Sequence, residues 1–354
     1  MTKEVAPALG RYKNQNPWIS IFRIILCLSV IQYHYNTVGV TMLQRIIAVF
    51  GKVAVPCFMF LSFYFMAGDI KSGNTEKIQN RLLRLYVPIF VWNVINWLLF
   101  NAFYIRSGSR ENIIGIKALL ESVLFTHYPG MPAHLWFLFA QIVVLVLICI
   151  FLSFGKNEKE KIAILVAMIL AALVIQYSGV NFELFNGANQ VITYSLGRCI
   201  ECIPFAACAL LYAWIIKDKN ATVKIAVATV SVCFTMICAF VKLEAPGFGY
   251  SGFYPVLFAI AACSFIFLLP DKIDGTVRAC LNYVGSCTMG IYCMQGIIGW
   301  FLPYIGARIP AIGNRLGSGT LVFDAWIFVV GLLVTIVARV VNSKLNWKWI
   351  EWSL

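Results

Sequence analysis

Apolar runs of about 17 to 25 residues, the length a helix needs to cross the hydrocarbon core of a bilayer, recur along the whole chain with short polar breaks between them. A chain built this way must satisfy its backbone polar groups within each crossing segment, which leaves helices or a closed barrel. A barrel would show alternating strands of about ten residues, and none is present. Only 12% of the 354 residues are charged and mean hydropathy is +0.83, against about 25% charged in an ordinary soluble domain. The expected fold is therefore an all-α polytopic membrane protein. Ten spans are read, at roughly 18–36, 45–67, 85–105, 133–153, 162–179, 197–216, 222–241, 250–269, 285–306 and 319–341.

An even number of crossings puts both termini on one side, and Lys and Arg choose the side. With the termini cytoplasmic, inner segments hold 17 of the 28 basic residues and outer segments 7, while Arg23, Lys52, Arg198 and Arg339 fall within or at the edge of spans. The expected order is a cytoplasmic tail (1–17), a membrane domain (18–341) and a second cytoplasmic tail (342–354). The net charge of +13 then reports orientation, and no basic segment alternates with aromatics as a nucleic-acid surface would. The first run lacks a small-residue cleavage site after it, so it reads as a retained helix. No loop exceeds about 30 residues, which leaves no room for a soluble catalytic domain. Within the longest outer loop, "ENIIGIKALLESVLF" gathers Ile113, Ile116, Leu119, Leu120 and Val123 on one face, as a helix lying on the membrane interface would. No internal repeat suggests a transporter's pseudosymmetry.

Most of the twelve cysteines lie inside apolar runs, where they act as small packing residues. Cys199 and Cys202 are spaced as a C-x-x-C, but no second Cys or His pair accompanies them, so no metal site is expected.

Polar groups inside the spans carry the chemistry. An arginine within a membrane helix costs about 2.5 to 3.5 kcal/mol on insertion scales, and Arg23 stands in the body of the first run. His34 follows 11 residues later, on the same face of a helix to within about 20° and about 16 Å along it. Snorkelling and an interfacial histidine are the bland readings of these two. Arg81 and Arg84, at i and i+3 where the third span begins, suit either anchoring to inner headgroups or a phosphorylated ligand, since guanidinium groups pair phosphate oxygens bidentately. His34, His127 and His134 all fall at the outer ends of spans or in the outer loop, whereas Arg23 and the pair Arg81 and Arg84 lie toward the inside. That asymmetry suits a phosphate-bearing donor from the cytoplasm and an acceptor near the outer face.

Together these residues resemble the acyltransferase 3 family of bacterial membrane proteins. Arg23, ten residues, then His34 matches its R-X10-H signature on the first helix, and "RLLR" matches its R-X-X-R signature on the third. "VPCFMFLSFYFMAG" resembles its second helix, "HLWFLFAQIVV" its H-L-W-F-L segment, and "GRCIECIPFAACALLY" and "TMGIYCMQG" its later helices. Phe63 stands where the family usually has glycine, and Gln295 where histidine is frequent; the esterase-like domain fused to some members is not expected here.

The resemblance implies transfer of an acyl group, commonly acetyl, from acyl-coenzyme A to a hydroxyl of a surface carbohydrate or its precursor, in a bacterial cell membrane. Acyl-coenzyme A is then a donor substrate and no bound cofactor is implied. His34 would be the general base. Arg23, Arg81 and Arg84 would hold or steer the donor. His134, Trp136, Arg198 and Glu201 would line the acceptor side, with Trp136 offering a flat ring to a sugar, although Arg198 and Glu201, also at i and i+3, can simply pair with each other. The competing reading is a transporter or exporter of a glycan or lipid-linked sugar; Asp324 is its thin candidate for ion coupling, and a scaffold explains neither Arg23 nor the Arg pair. Assembly into a homo-oligomer is left open.

Overall fold

A computed structural model describes residues 15–35, 41–126, 133–178, 190–241, 252–308 and 320–353. Among these residues there are helices and short connections and no strand. The helices are α1 (Pro17–Tyr35), α2 (Met42–Ser72), α3 (Thr75–Ser107), α4 (Ile116–Phe125), α5 (Trp136–Ser153), α6 (Glu158–Tyr177) and α7 (Gln190–Leu211). After α7 comes a π turn (Tyr212–Ile216), then α8 (Ala221–Phe240), α9 (Phe253–Leu268), α10 (Gly275–Ser286), α11 (Thr288–Arg308), α12 (Leu321–Leu345) and α13 (Lys348–Ser353).

Each of the ten expected runs falls largely on helical residues. Among the described residues eight helices, α1, α2, α3, α5, α6, α7, α8 and α12, are long and apolar enough to cross a membrane, so the protein is a multi-pass, helical membrane protein. At 16 residues α9 is shorter, about 24 Å of helix against a core of about 30 Å. At 21 residues α11 is long enough, yet Gln295 and repeated glycines lower its apolar content.

Local chemistry explains the helix ends. The Asn74 side chain caps α3 by accepting from the Lys77 amide, and Gly73, at φ 65, makes the tight connection from α2. Asn157 and Glu160 form a reciprocal cap on α6: Asn157 Oδ1 accepts from the Glu160 amide at 3.0 Å while Glu160 Oε2 accepts from the Lys156 amide at 2.7 Å. Asp274 Oδ1 caps α10, accepting from the amides of Thr276 and Val277 at 2.9 and 3.4 Å.

The chain forms two compact units, one made of the residues up to Ala54 with Cys263–Trp352, the other of Val55–Ala262. In the first unit α1, α10, α11 and α12 pack together around Cys27, Ile31, Cys287, Ile291, Leu302, Phe323 and Ile327. Glycines permit the closest approaches: a β-carbon at Gly285 would lie 2.6 Å from that of Ser20. The same contact carries a buried hydrogen bond from Ser20 Oγ to Asn282 Oδ1 at 2.6 Å. Arg339, near the C-terminal end of α12, donates to the hydroxyl and the carbonyl of Ser286, both at 2.7 Å, so its charge is tied to the end of α10.

In the second unit α5 and α7 run through the interior against α3 and α6. The π turn follows α7, and Trp214 within it donates to the Ala67 carbonyl at 3.1 Å. The expected outer-loop helix is α4, and its apolar residues divide between two faces. Ala118, Ser122 and Val123 are buried, whereas Ile113, Ile116, Leu120 and Leu124 are exposed. The buried face is hung along α3: Asn93 donates to the Ser122 carbonyl, Asn101 exchanges two bonds with Ile114, and Trp97 donates to the Ile114 carbonyl.

Candidate functional site

In the first unit, Arg23, Cys27, Val30 and His34 form one stripe of α1 at spacings of four, three and four residues, the repeat that keeps side chains on one helix face. Cys27 and Val30 are buried at 3% and 4% exposure. Arg23 is half-buried and His34, in the last turn, is exposed. The cation below and the imidazole above thus bracket an apolar stripe whose Cys27 approaches the Thr288 carbonyl. His34 meets the ring of Tyr33 edge-on, centroids 5.9 Å apart. Among the described residues no ion pair involves His34, so its imidazole has no carboxylate partner of the triad kind.

Tyr35, which sequence reasoning did not single out, anchors this end of α1. Its hydroxyl donates to the Gln295 carbonyl at 2.8 Å, and its ring meets Phe323 edge-on at 5.5 Å. Gln295 itself is 1% exposed, and among the described residues neither polar atom of its side-chain amide has a hydrogen-bond partner.

In the second unit, Arg81 and Arg84 diverge although they start one turn apart. Arg81 is half-buried and turned inward, donating to Ser62 Oγ at 2.8 Å. Ser62 in turn donates to Gln141 Oε1 at 2.9 Å. Arg84 is exposed. Ser62 and Gln141 were legible as lone polar residues in the apolar runs "FLSFYF" and "FLFAQIVV", the signal that marks function or a polar partner inside a membrane.

Four of the remaining candidates share one end of the same unit. His134, buried, lies in the single turn Ala133–Leu135 that leads into α5, and Trp136 opens that helix. Arg198 on α7 donates to Glu201 Oε2 at 2.9 Å, with the carboxylate 3% exposed. Its guanidinium lies over the Trp136 ring at 4.8 Å and the Tyr194 ring at 5.0 Å. The expected open face of Trp136 is therefore covered: the residue is 6% exposed and its ring carries Arg198. The pairing of Arg198 with Glu201 left open by the sequence is present. His127 lies outside the described residues.

Cys199 and Cys202 are buried and unbridged. No group of three or more metal-ligating side chains occurs among the described residues.

The profile of the acyltransferase 3 family, described as an acyltransferase domain, matches residues 16–340. That interval holds both signature motifs and every candidate residue above. Among curated proteins and solved structures nothing matches this chain. With the match running through all but the two ends of 354 residues, the chain belongs to the acyltransferase 3 family and is a membrane acyltransferase.

Proposed function

We propose that the protein transfers an acyl group, in the first instance acetyl, from cytoplasmic acyl-coenzyme A to a hydroxyl of a cell-surface carbohydrate or its precursor. The observation that carries this reading is the stripe of α1 that sets the family's arginine and histidine on one face with a buried apolar pair between them. The acceptor oxygen attacks the thioester carbonyl while His34 takes the hydroxyl proton. The carbon–sulfur bond then breaks, and the proton passes from His34 to the departing thiolate, leaving an ester and free coenzyme A. An imidazole can accept a proton as the free base and return it as the imidazolium, which suits the two transfers in turn. Arg23 steers the donor from below. Arg84, exposed, takes donor phosphates, and Arg81 braces the same helix through Ser62 and Gln141. His134 and the Arg198–Glu201 pair form the acceptor side, with Trp136 supporting Arg198 instead of stacking on sugar.

In this proposal the ten runs are ten crossings and both termini lie in the cytoplasm of a bacterial cell, a reading supported by the 17 to 7 distribution of basic residues. Tags at either terminus are then cytoplasmic and one near Gly108 extracytoplasmic.

The deciding experiment supplies purified protein in nanodiscs with acetyl-coenzyme A and a glycan acceptor. Release of coenzyme A thiol that depends on the acceptor, with a matching sugar ester, is expected. Movement of glycan without thioester consumption would make the protein a transporter and end this proposal.

A further inference from the structure

Inside hydrocarbon no water answers the backbone groups left over at a helix end, so a helix that stops there needs side chains to answer them. Both ends of α4 are answered in this way. Just before its first residue, the Ile114 amide donates to Asn101 Oδ1 at 2.7 Å, and the Ile114 carbonyl accepts from Asn101 Nδ2 and the Trp97 indole at 3.0 and 2.8 Å. In its last turn the Ser122 carbonyl accepts from Asn93 Nδ2 at 3.0 Å as well as from the Thr126 amide. The Phe125 carbonyl accepts from Ser195 Oγ on α7 at 2.7 Å. Asn93, Asn101, Ser122 and Ser195 are all buried. Phe125 also turns its ring to Phe139 on α5, centroids 6.3 Å apart, so α3, α5 and α7 all touch this short helix.

The direction of α4 follows from the same bonds. Asn93 and Asn101 stand eight residues apart on α3, and their partners Ser122 and Ile114 stand eight apart in the reverse order. α4 therefore runs antiparallel alongside α3, a helix long and apolar enough to cross the membrane. Its depth follows from the exposed apolar residues of α3. Leu83, Phe90, Leu98 and Ile105 share one face at spacings of seven, eight and seven, and they mark about 33 Å of helix, against about 30 Å of hydrocarbon. Asn93 and Asn101 both lie within that length. α4 has an exposed apolar stripe of its own: Ile116, Leu120 and Leu124, at i, i+4 and i+8, are between 55% and 61% exposed. A helix lying flat on the interface, as the sequence suggests, would cross α3 instead of following it.

We propose that α4 is a re-entrant helix: it enters the bilayer beside α3, ends at Thr126 within the hydrocarbon, and lays Ile116, Leu120 and Leu124 against lipid acyl chains. In the orientation proposed above these chains belong to the outer leaflet. Lipid is the occupant because the stripe stands at the depth of the exposed apolar residues of α3 and, like them, carries no polar group. The charges of α4, Lys117 and Glu121, pair with each other at 3.9 Å, and Lys117 stands in the first turn, within a stem's length of the headgroups. The inference holds whether or not the protein transfers an acyl group.

The test uses the full-length protein in phosphatidylcholine nanodiscs, with Ile116→Trp and Leu124→Trp made separately. Both positions are exposed, so neither change disturbs the core, and subtracting the wild-type emission leaves that of the added indole. Lipids brominated near the glycerol end or near the methyl end of their acyl chains then quench it according to depth. Eight residues of helix separate the two probes by up to about 12 Å, so the shallow bromine should quench the indole at position 116 more strongly and the deep bromine the one at position 124. The same bromine dominating at both positions would set α4 parallel to the membrane plane and overturn the proposal. Quenching by aqueous acrylamide but not by bromolipid would place the stripe in water, and resistance to both quenchers would place it against a second copy of the chain; either result overturns it too.

Discussion

The ring of Tyr35 occupies the space that a β-carbon on residue 299 would fill. Gly299 therefore acts as a socket, and together with the bond from the Tyr35 hydroxyl to the Gln295 carbonyl it fixes the last turn of α1 against α11. His34 is the neighbour of the residue held there.

Gly299→Ala should push Tyr35 out of its socket. Overpacking of this kind costs about 1 to 3 kcal/mol, seen as a lower melting temperature in detergent, and ester formation should fall with it because the turn carrying His34 is displaced. A second change of Tyr35→Leu should restore much of the stability but not the activity. Normal melting of Gly299→Ala alone would show that the contact yields easily.

His34→Ala should lower turnover at least about a hundredfold, the lower range for losing a general base, with protein level and coenzyme A binding unchanged. Arg23→Ala should weaken donor use, and Arg23→Lys should rescue it in part because an ammonium lacks the planar fork. Initial rates against donor concentration in membranes of equal protein content separate the two. Wild-type turnover in His34→Ala would remove the active-site assignment.

Arg81 and Arg84 should now part company. Arg84→Gln should raise the donor concentration needed for half-maximal rate and leave melting unchanged, since Arg84 is exposed. Arg81→Gln breaks a charged hydrogen bond to Ser62 and should cost stability by about 1 to 3 kcal/mol. Melting curves and donor titrations on both variants are sufficient, and identical behaviour of the two would return them to simple membrane anchors.

Glu201→Gln should be more damaging than the double change Glu201→Gln with Arg198→Met. Removing one partner of a buried pair leaves an uncompensated charge and costs about 3 to 5 kcal/mol, while replacing both is often tolerated. Arg198 also loses its seat between Trp136 and Tyr194 in the double variant, so acceptor affinity should drop even where melting recovers.

The cap on α10 gives a pH dependence with a definite sign. Hydrogen bonds from the Thr276 and then the Val277 amides hold the Asp274 carboxyl below the usual carboxylate range. Its contribution is complete above the ordinary aspartate value of about 3.9 and disappears as pH falls through the lower folded value. Asp274→Ala should melt below wild type at neutral pH, and the gap should close only on acidification below about pH 4. A gap independent of pH would mean that the carboxylate charge plays no part.

Hydropathy revealed the helical runs because the bilayer sets their length, but it followed the bilayer more closely than it followed the helices. α2 and α3 extend to Ser72 and back to Thr75, well past the expected spans, since charged turns such as "DIKS" and "TEKIQN" continue a helix into water at little cost. α10 went unread because its composition, "GTVRACLNYVGS", has no apolar run; the capping Asp274 before it was the available signal. The shared helix face of Arg23 and His34 was legible from spacing alone, since helical phase follows directly from residue number. The covering of Trp136 by Arg198 was not, because it depends on how α5 meets α7. Asn93 and Asn101 looked like Asn96 in the sequence, and only their bonds to the Ser122 and Ile114 backbone set them apart.

The π turn at Tyr212–Ile216 holds α7 one residue out of step with itself. The Lys217 amide reaches back to the Tyr212 carbonyl at 3.0 Å, one residue further than an α-helix allows. Such a turn amounts to an insertion absorbed without breaking the helix, so chain length becomes an adjustable quantity at this point. Deleting the exposed Ile215 would let the segment relax to regular α geometry with its backbone bonds intact. Because the wide turn takes up the extra residue, the segment beyond the deletion would keep close to its present direction and Lys217 would still face the Tyr64 ring. The extra residue therefore works as slack held within one turn, so the chain leaves the end of α7 as a regular helix would.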